Sequence, residues 1–164
     1  MVYDYGKYLK GVFMRYLSRG RSILLSGICL TLHTSAATSE PELIATCGAS
    51  KGYSYYVEGG LIPKESAGYQ EDGISRGSIQ LLLDGNEADI VQIDGTDTRR
   101  SAKDEGGSVL PVVNGSNIAV LVLYQGVVEN YVFRMNTSEV TWSKSTFGYS
   151  LDKHSVLRAP CVFE

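Results

Sequence analysis

Short apolar runs separated by turn-forming residues recur from residue 53 to residue 163, and no stretch there shows helical periodicity. Runs of this length, rich in β-branched and aromatic side chains and closed by Gly, Asn, Asp or Ser, are typical of strands. The expected fold is therefore all-β, an antiparallel meander of about eight or nine short strands that forms either a small barrel or a sandwich. The predicted strands include residues 53–57, 78–83, 88–93, 108–113, 118–124, 127–135, 139–145 and 155–163.

Local signals refine five of these strands. The turn Asp84-Gly85-Asn86 predicts an antiparallel hairpin between residues 78–83 and 88–93. Pro111 withholds a backbone donor, which favours an edge position for its strand. Residues 118–124 are apolar on both faces, which favours the centre of the sheet. In residues 127–135 the apolar face is interrupted by Glu129.

The stretch "RSILLSGICLTLHTSAATSE" is expected to lie outside this fold. Its apolar core, residues 22–32, is shorter than the roughly 20 residues that a membrane-spanning helix needs. Arg15, Arg19 and Arg21 precede this core and Ser35-Ala36-Ala37 follows it. This order predicts a secretory signal peptide over residues 1–37, with Met14 as an alternative start, and a single β domain over residues 38–164. The domain is therefore expected to be periplasmic or secreted.

Loss of this leader would remove Cys29 and leave Cys47 and Cys161 near the two ends of the mature chain. Two such cysteines in an oxidising compartment predict one disulfide between the first and last strands. A lipid anchor at Cys29 is the alternative for the leader, although Ile28 stands where a small residue is usual.

The charge of the mature domain argues against several partners. Removing the basic leader changes the formal charge from −3 to −7, and the one basic doublet, Arg99-Arg100, lies among acidic residues. Nucleic acids and anionic lipid surfaces are held mainly by clustered Lys and Arg, so neither is expected as a partner, and no stable membrane insertion is expected after cleavage.

Catalytic and metal-binding patterns are weak. Residues 73–77 match the G-x-S-x-G pattern around Ser75, and His154 follows it, but that nucleophile turn needs a strand before it and a helix after it. A strand is expected after Ser75, which favours a glycine-rich turn. The mature chain has the single histidine His154 and lacks a Cys-x-x-Cys spacing. We therefore predict no catalytic residue, no metal site and no cofactor.

Aromatic residues give the better binding hypothesis. Tyrosine presents a flat apolar face while its hydroxyl stays hydrated, so Tyr55 or Tyr56 and Tyr124 are candidate ligand-binding residues. Core packing is the alternative role for each of them. The polar segment 94–107, with Arg99 and Arg100, is the loop expected to bind or to vary.

The segments "CGASKGYSYY", "EDGIS", "VLYQGVVENYVF" and "LRAPC" resemble a group of small secreted bacterial proteins of unassigned function, with a cysteine at each end of the mature domain. The resemblance implies a bacterial extracytoplasmic setting and supports the cysteine pair, but it implies no activity. The expected function is non-catalytic binding of a small ligand, a glycan or a protein partner. The alternatives are a small secreted hydrolase, using carboxylates or Ser75 with His154, and an envelope structural protein.

Overall fold

The computed structural model describes residues 40–148 and 150–164, all within one compact unit. The predicted leader, the Met14 start and Cys29 lie outside these residues. The described part of the chain holds one short 3-10 turn, Lys64–Ser66, and no α-helix. Its eleven strands are β1 (Glu42–Cys47), β2 (Ser50–Tyr56), β3 (Gly68–Ile74), β4 (Ser78–Asp84), β5 (Glu87–Ile93), β6 (Arg99–Ser101), β7 (Ser108–Asn114), β8 (Asn117–Tyr124), β9 (Val127–Arg134), β10 (Glu139–Thr146) and β11 (Lys153–Phe163).

All strand pairs are antiparallel and belong to one curled sheet, which confirms the all-β prediction. Nine strands follow the order β6-β5-β4-β1-β11-β10-β9-β8-β7, and β2 and β3 form a side branch. The sheet curls into a half-barrel rather than a closed barrel or a two-layer sandwich. Strands β5 and β7, near the two ends of the order, contact each other across the opening.

Strand β11 joins the two branches because its two neighbours share one of its edges. Residues Lys153 to Arg158 of that edge pair with β2, and residues Cys161 to Phe163 pair with β1. The opposite edge pairs with β10 along the length of that strand. Strand β1 then continues to β4, while β2 continues to β3.

The predicted disulfide is present. Cys47 and Cys161 are directly opposite each other in the β1–β11 ladder, and their side chains form a disulfide. It joins the first strand to the last, as the cysteine spacing predicts.

The core lies on the concave face of the sheet. Alternation along each strand places one set of side chains there, because successive residues of a strand point to opposite faces. Tyr131 is fully buried and stacks on Phe133 and Trp142, with ring centroids 6.3 and 5.7 Å apart. The other core residues include Leu81, Ile90, Val120, Val122, Val140 and Leu157.

Three details of the predicted topology are wrong. Strand β8, expected at the centre, is next to the terminal strand β7, and β11 takes the central position. Strands β1 and β3 were not predicted as strands, because β1 is short and β3 is polar on both faces. The segment 94–107 was expected to be a loop, but it contains the short strand β6. Pro111 does lie in an edge strand, as predicted, and the β4–β5 hairpin is confirmed.

Candidate functional site

A cavity of about 480 Å³ opens on the concave face, and we call it the concave cavity. Its two walls come from opposite ends of the strand order. The first wall, from β5, β6 and the segment after β6, is formed by Ile90, Gln92, Arg100, Ala102 and Glu105. The second wall, from β8, β9 and β10, is formed by Tyr124, Val127, Glu129 and Lys144. Curling of the sheet brings these two walls together.

The floor of the cavity holds an ion pair between a buried carboxylate, Glu129, and a partly exposed amine, Lys144. Glu129 is 2% exposed, and its Oε1 lies 2.8 Å from Lys144 Nζ. Its Oε2 accepts a hydrogen bond of 2.7 Å from the Tyr131 hydroxyl. That hydroxyl in turn accepts a hydrogen bond of 2.7 Å from Gln92 Nε2. Both carboxylate oxygens of Glu129 are therefore engaged, and the Tyr131 contact ties β9 to the opposite wall.

Strand geometry explains why a carboxylate lies on the core face. Val127, Glu129, Tyr131 and Phe133 are two residues apart on β9, so all four point to the concave side. Lys144 is the cross-strand neighbour of Glu129 on β10. The interruption of the apolar face by Glu129 is visible in the sequence, and this signal could have pointed to the site, although no binding residue was predicted from it.

Tyr131 stays protonated as a donor to Glu129. Burial raises the pKa of Tyr131 well above its usual value, and the nearby negative charge of Glu129 raises it further. The hydroxyl therefore keeps its proton over the whole physiological range. This fixes the direction of the hydrogen bond from Tyr131 to Glu129.

The mouth of the cavity is formed by exposed charged groups. Arg100 Nε lies 4.0 Å from Glu105 Oε1, which is an ion-pair contact but beyond hydrogen-bonding distance. Arg100 is also the cross-strand neighbour of Gln92, and this register turns its side chain toward the cavity. The charged side chains thus become more exposed to solvent from the floor of the cavity, at Glu129, to its mouth, at Arg100.

Tyr124 forms the aromatic part of the wall. Burial, followed by the charges of Glu129, Glu105 and Asp89, raises the pKa of Tyr124 to about 12. Gly107 lies directly against the ring, since a Cβ built on Gly107 would be 2.7 Å from Tyr124 Cε1. The absence of a side chain at position 107 therefore leaves the space that the ring occupies.

The ion pair continues as a polar band across the concave face. Ser155 on β11 neighbours Lys144, and Ser54 on β2 neighbours Ser155. The two serine hydroxyls are 2.6 Å apart, and Ser54 Oγ donates a hydrogen bond of 2.5 Å to Asp72 Oδ2. The band therefore runs through directly paired residues of β9, β10, β11 and β2. It ends at Asp72 on β3.

Asp72 also forms an ion pair with Lys153, with Nζ 2.6 Å from Oδ2. Burial alone would raise the pKa of Asp72, but hydrogen bonds from Lys153, Ser54 and the Gly73 amide, with the Lys153 charge, lower it overall. Burial would lower the pKa of Lys153, but its contacts with Asp72 and Tyr56 raise it overall. Both groups therefore stay charged, and Lys153 is unsuited to act as a base toward Ser54.

Two of the predicted binding residues meet at the concave cavity. Tyr124 and Arg100 line opposite walls, whereas Arg99 lies on the other face of β6 and does not line the cavity. Tyr55 and Tyr56 lie on β2, away from the cavity. Sequence analysis found two lining residues and missed Gln92, Glu129 and Lys144, which are contributed by three different strands.

Tyr55 and Tyr56 point to opposite faces of β2. Tyr55 is exposed on the outer face, with its ring centroid 4.9 Å from that of Tyr69, which is 82% exposed. Tyr56 is partly buried, and Lys153 Nζ lies 5.0 Å from the centre of its ring. Of these two candidate residues, Tyr55 is therefore the one at the surface.

Ser75 and His154 are not brought together. Ser75 follows Ile74, which pairs with Ser50 at the start of β2. His154 pairs with Tyr55 near the end of β2. Five strand residues separate these positions, a distance of about 16 Å. His154 Nδ1 instead lies 3.0 Å from Ser145 Oγ. Ser75 lies between two strands, β3 and β4, and not before a helix.

No group of three or more His, Cys, Asp or Glu side chains in residues 40–148 and 150–164 is arranged to hold a metal ion. No helix in this part of the chain has the length and hydropathy to span a membrane.

No protein-family model, curated protein or solved structure matches this chain. The resemblance to small secreted bacterial proteins therefore stays a prediction. The basis for a functional hypothesis is the geometry of the concave cavity.

Proposed function

We propose that this chain is a non-catalytic extracytoplasmic β-domain, periplasmic or secreted, that binds a small ligand in the concave cavity. The observation that carries the proposal is the buried carboxylate of Glu129 on the cavity floor, paired with the partly exposed Lys144. The volume of the concave cavity, about 480 Å³, lies in the range of small-molecule pockets.

The energetics of this ion pair favour a functional role over a structural one. Transfer of a carboxylate out of water costs several kcal/mol, and well-packed apolar residues often replace a buried ion pair without loss of stability. Glu129 nevertheless lies on the face of β9 that otherwise carries Val127, Tyr131 and Phe133. Buried charged groups with fixed partners in a concave site are typical of binding or active sites.

The absence of an arranged nucleophile and base at Ser75 and His154 favours binding over hydrolysis by that pair. Lys153, which shares the Asp72 carboxylate with Ser54, is held in its charged form by Asp72. A binding role needs only the preorganised donors and acceptors that the cavity contains.

The Cys47–Cys161 disulfide supports the proposed compartment, because structural disulfides persist mainly in oxidising environments. The periplasmic or secreted location rests on the predicted leader and is part of the proposal.

Native mass spectrometry tests this function. The full chain is expressed with its own leader in a Gram-negative host, and the protein is recovered from the periplasm and the medium. We expect a mature chain without residues 1–37, two thiols that appear only on reduction, and an additional mass that is lost on denaturation.

Three variants assign the additional mass to the cavity. Glu129→Gln and Tyr124→Ala should both abolish it. Glu139→Gln is the matched control, because Glu139 pairs with Arg158 elsewhere in the sheet and should retain the bound mass. Circular dichroism on each variant separates loss of binding from loss of folding. Bound mass that survives both cavity substitutions would contradict the proposal.

A further inference from the structure

The charges that line the concave cavity are balanced. Lys144 is paired with Glu129 on the floor, and Arg100 is paired with Glu105 at the mouth. Each cation has a carboxylate beside it, so a ligand with a net charge of either sign meets a like charge as well as an opposite one. This balance favours a ligand without net charge.

Several lining groups keep unused hydrogen-bonding capacity among the described residues. The Arg100 guanidinium has no hydrogen bond there, since its Glu105 contact is 4.0 Å long. Lys144 Nζ has three N–H groups and contacts a single carboxylate, while Gln92 Oε1 and the Tyr124 hydroxyl have no partner among these residues. Donors and acceptors are thus both available within one cavity.

The remaining lining is apolar. Ile90, Ala102 and Val127 lie beside the Tyr124 ring, and Gly107 supports that ring from behind. One aromatic wall next to free donors and acceptors suits a ligand with C–H faces and several hydroxyl groups, because each hydroxyl both donates and accepts a hydrogen bond.

We propose that the ligand of the concave cavity is a neutral saccharide of one or two rings. This inference rests on the proposed function. The sugar hydroxyls bond Arg100, Lys144 and Gln92, and one ring face lies on Tyr124.

The competing ligand classes fit less well. A carboxylate or phosphate satisfies Arg100 but approaches Glu105 and Glu129. An organic cation satisfies Glu105 but approaches Arg100 and Lys144. A hydrocarbon offers no hydrogen-bond partner to the remaining N–H groups of Arg100 and Lys144 or to Gln92 Oε1.

Saturation-transfer NMR on the full mature protein tests the ligand class. The probes are D-glucose, N-acetyl-D-glucosamine and maltose, compared with L-alanine, acetate, tetramethylammonium and benzyl alcohol. We expect transfer to the ring protons of at least one sugar. Its Kd should rise at least about tenfold in Tyr124→Ala and in Arg100→Met, and remain unchanged in Glu139→Gln.

A second measurement treats any additional mass released from the periplasmic protein with sodium periodate, which cleaves vicinal diols. A change in that mass supports a saccharide. Periodate resistance, or Tyr124-dependent binding of a non-sugar probe without sugar binding, would overturn the saccharide inference and leave the proposed function standing. No released mass and no binding by any of the seven probes would overturn both.

Discussion

Loss of the Cys47–Cys161 disulfide should lower the free energy of unfolding by about 5 kcal/mol. The two cysteines are separated by 114 positions, and in the chain-entropy model a closed loop of this length restricts the unfolded chain by about that amount. Small domains are stable by only about 5–15 kcal/mol, so the reduced protein should be marginal at physiological temperature. The cost arises in the unfolded state, since both cysteines stay in the paired β1 and β11.

Guanidinium chloride unfolding, followed by the fluorescence of Trp142, measures this difference. Trp142 is the single tryptophan and is 5% exposed in the fold, so its emission should report core exposure. The oxidised protein is compared with the same protein in reductant and with the double variant Cys47→Ala, Cys161→Ala. The reduced protein and the double variant should also show a steeper denaturant dependence, because their unfolded chains expose more surface.

The double variant is the control for side effects of the reductant, and its stability should not change when reductant is added. A difference of less than about 1 kcal/mol between oxidised and reduced protein would refute the chain-entropy reasoning. An unchanged denaturant slope would show that the cross-link does not compact the unfolded chain.

Three shorter predictions concern the concave face. Gly107→Ala should push against the Tyr124 ring and the Ala102 carbonyl and destabilise the fold by about 1–3 kcal/mol, measured by thermal unfolding. Gly48→Ala is the matched control, because Gly48 has no positive φ and has open space around the new Cβ. The pKa of Asp72 is lowered from 3.8 in the fold, so its contribution to stability should be present above pH 3.8 and lost as the pH falls through the lower folded value. In Asp72→Asn, the slope of the unfolding free energy against pH should be flatter in this acid range. Tyr124 has a pKa of about 12 in the fold, so stability should decline from about pH 10 upward because this tyrosine ionises first in the unfolded chain. Ultraviolet titration should show that Tyr124→Phe lacks one of the phenols that ionise near pH 12 in the wild type.

The fold class was predictable because local signals and burial agree in most strands. Asp84-Gly85-Asn86 marks the β4–β5 hairpin, and the alternation in β9 and β10 matches their buried faces. Strand β3 gives no such signal, since Gln70, Glu71 and Asp72 follow one another and pairing with β2 maintains the strand. The central position of β11 depends on tertiary pairing, which sequence periodicity does not record.

The site was predictable only in part, for a related reason. Tyr124 stands out as an aromatic and Arg100 as a charged residue, but their proximity depends on the curl that brings β6 toward β8. Glu129 broke an apolar face, which is a local signal. Lys144, which pairs with Glu129, and Gln92, which donates to Tyr131, carry no signal of their own, because their role depends on cross-strand register.

The position of β11 in the sheet has a consequence for the timing of folding. Strands β1 and β2 need β11 as a partner, yet β11 is the last strand to be synthesised. At 5–20 residues per second, the 114 positions between Cys47 and Cys161 take roughly 6 to 23 s to translate. Until then the early strands have no complete sheet to join, and non-local pairing of this kind is slow. Such a delay keeps the nascent chain open until β11 is available.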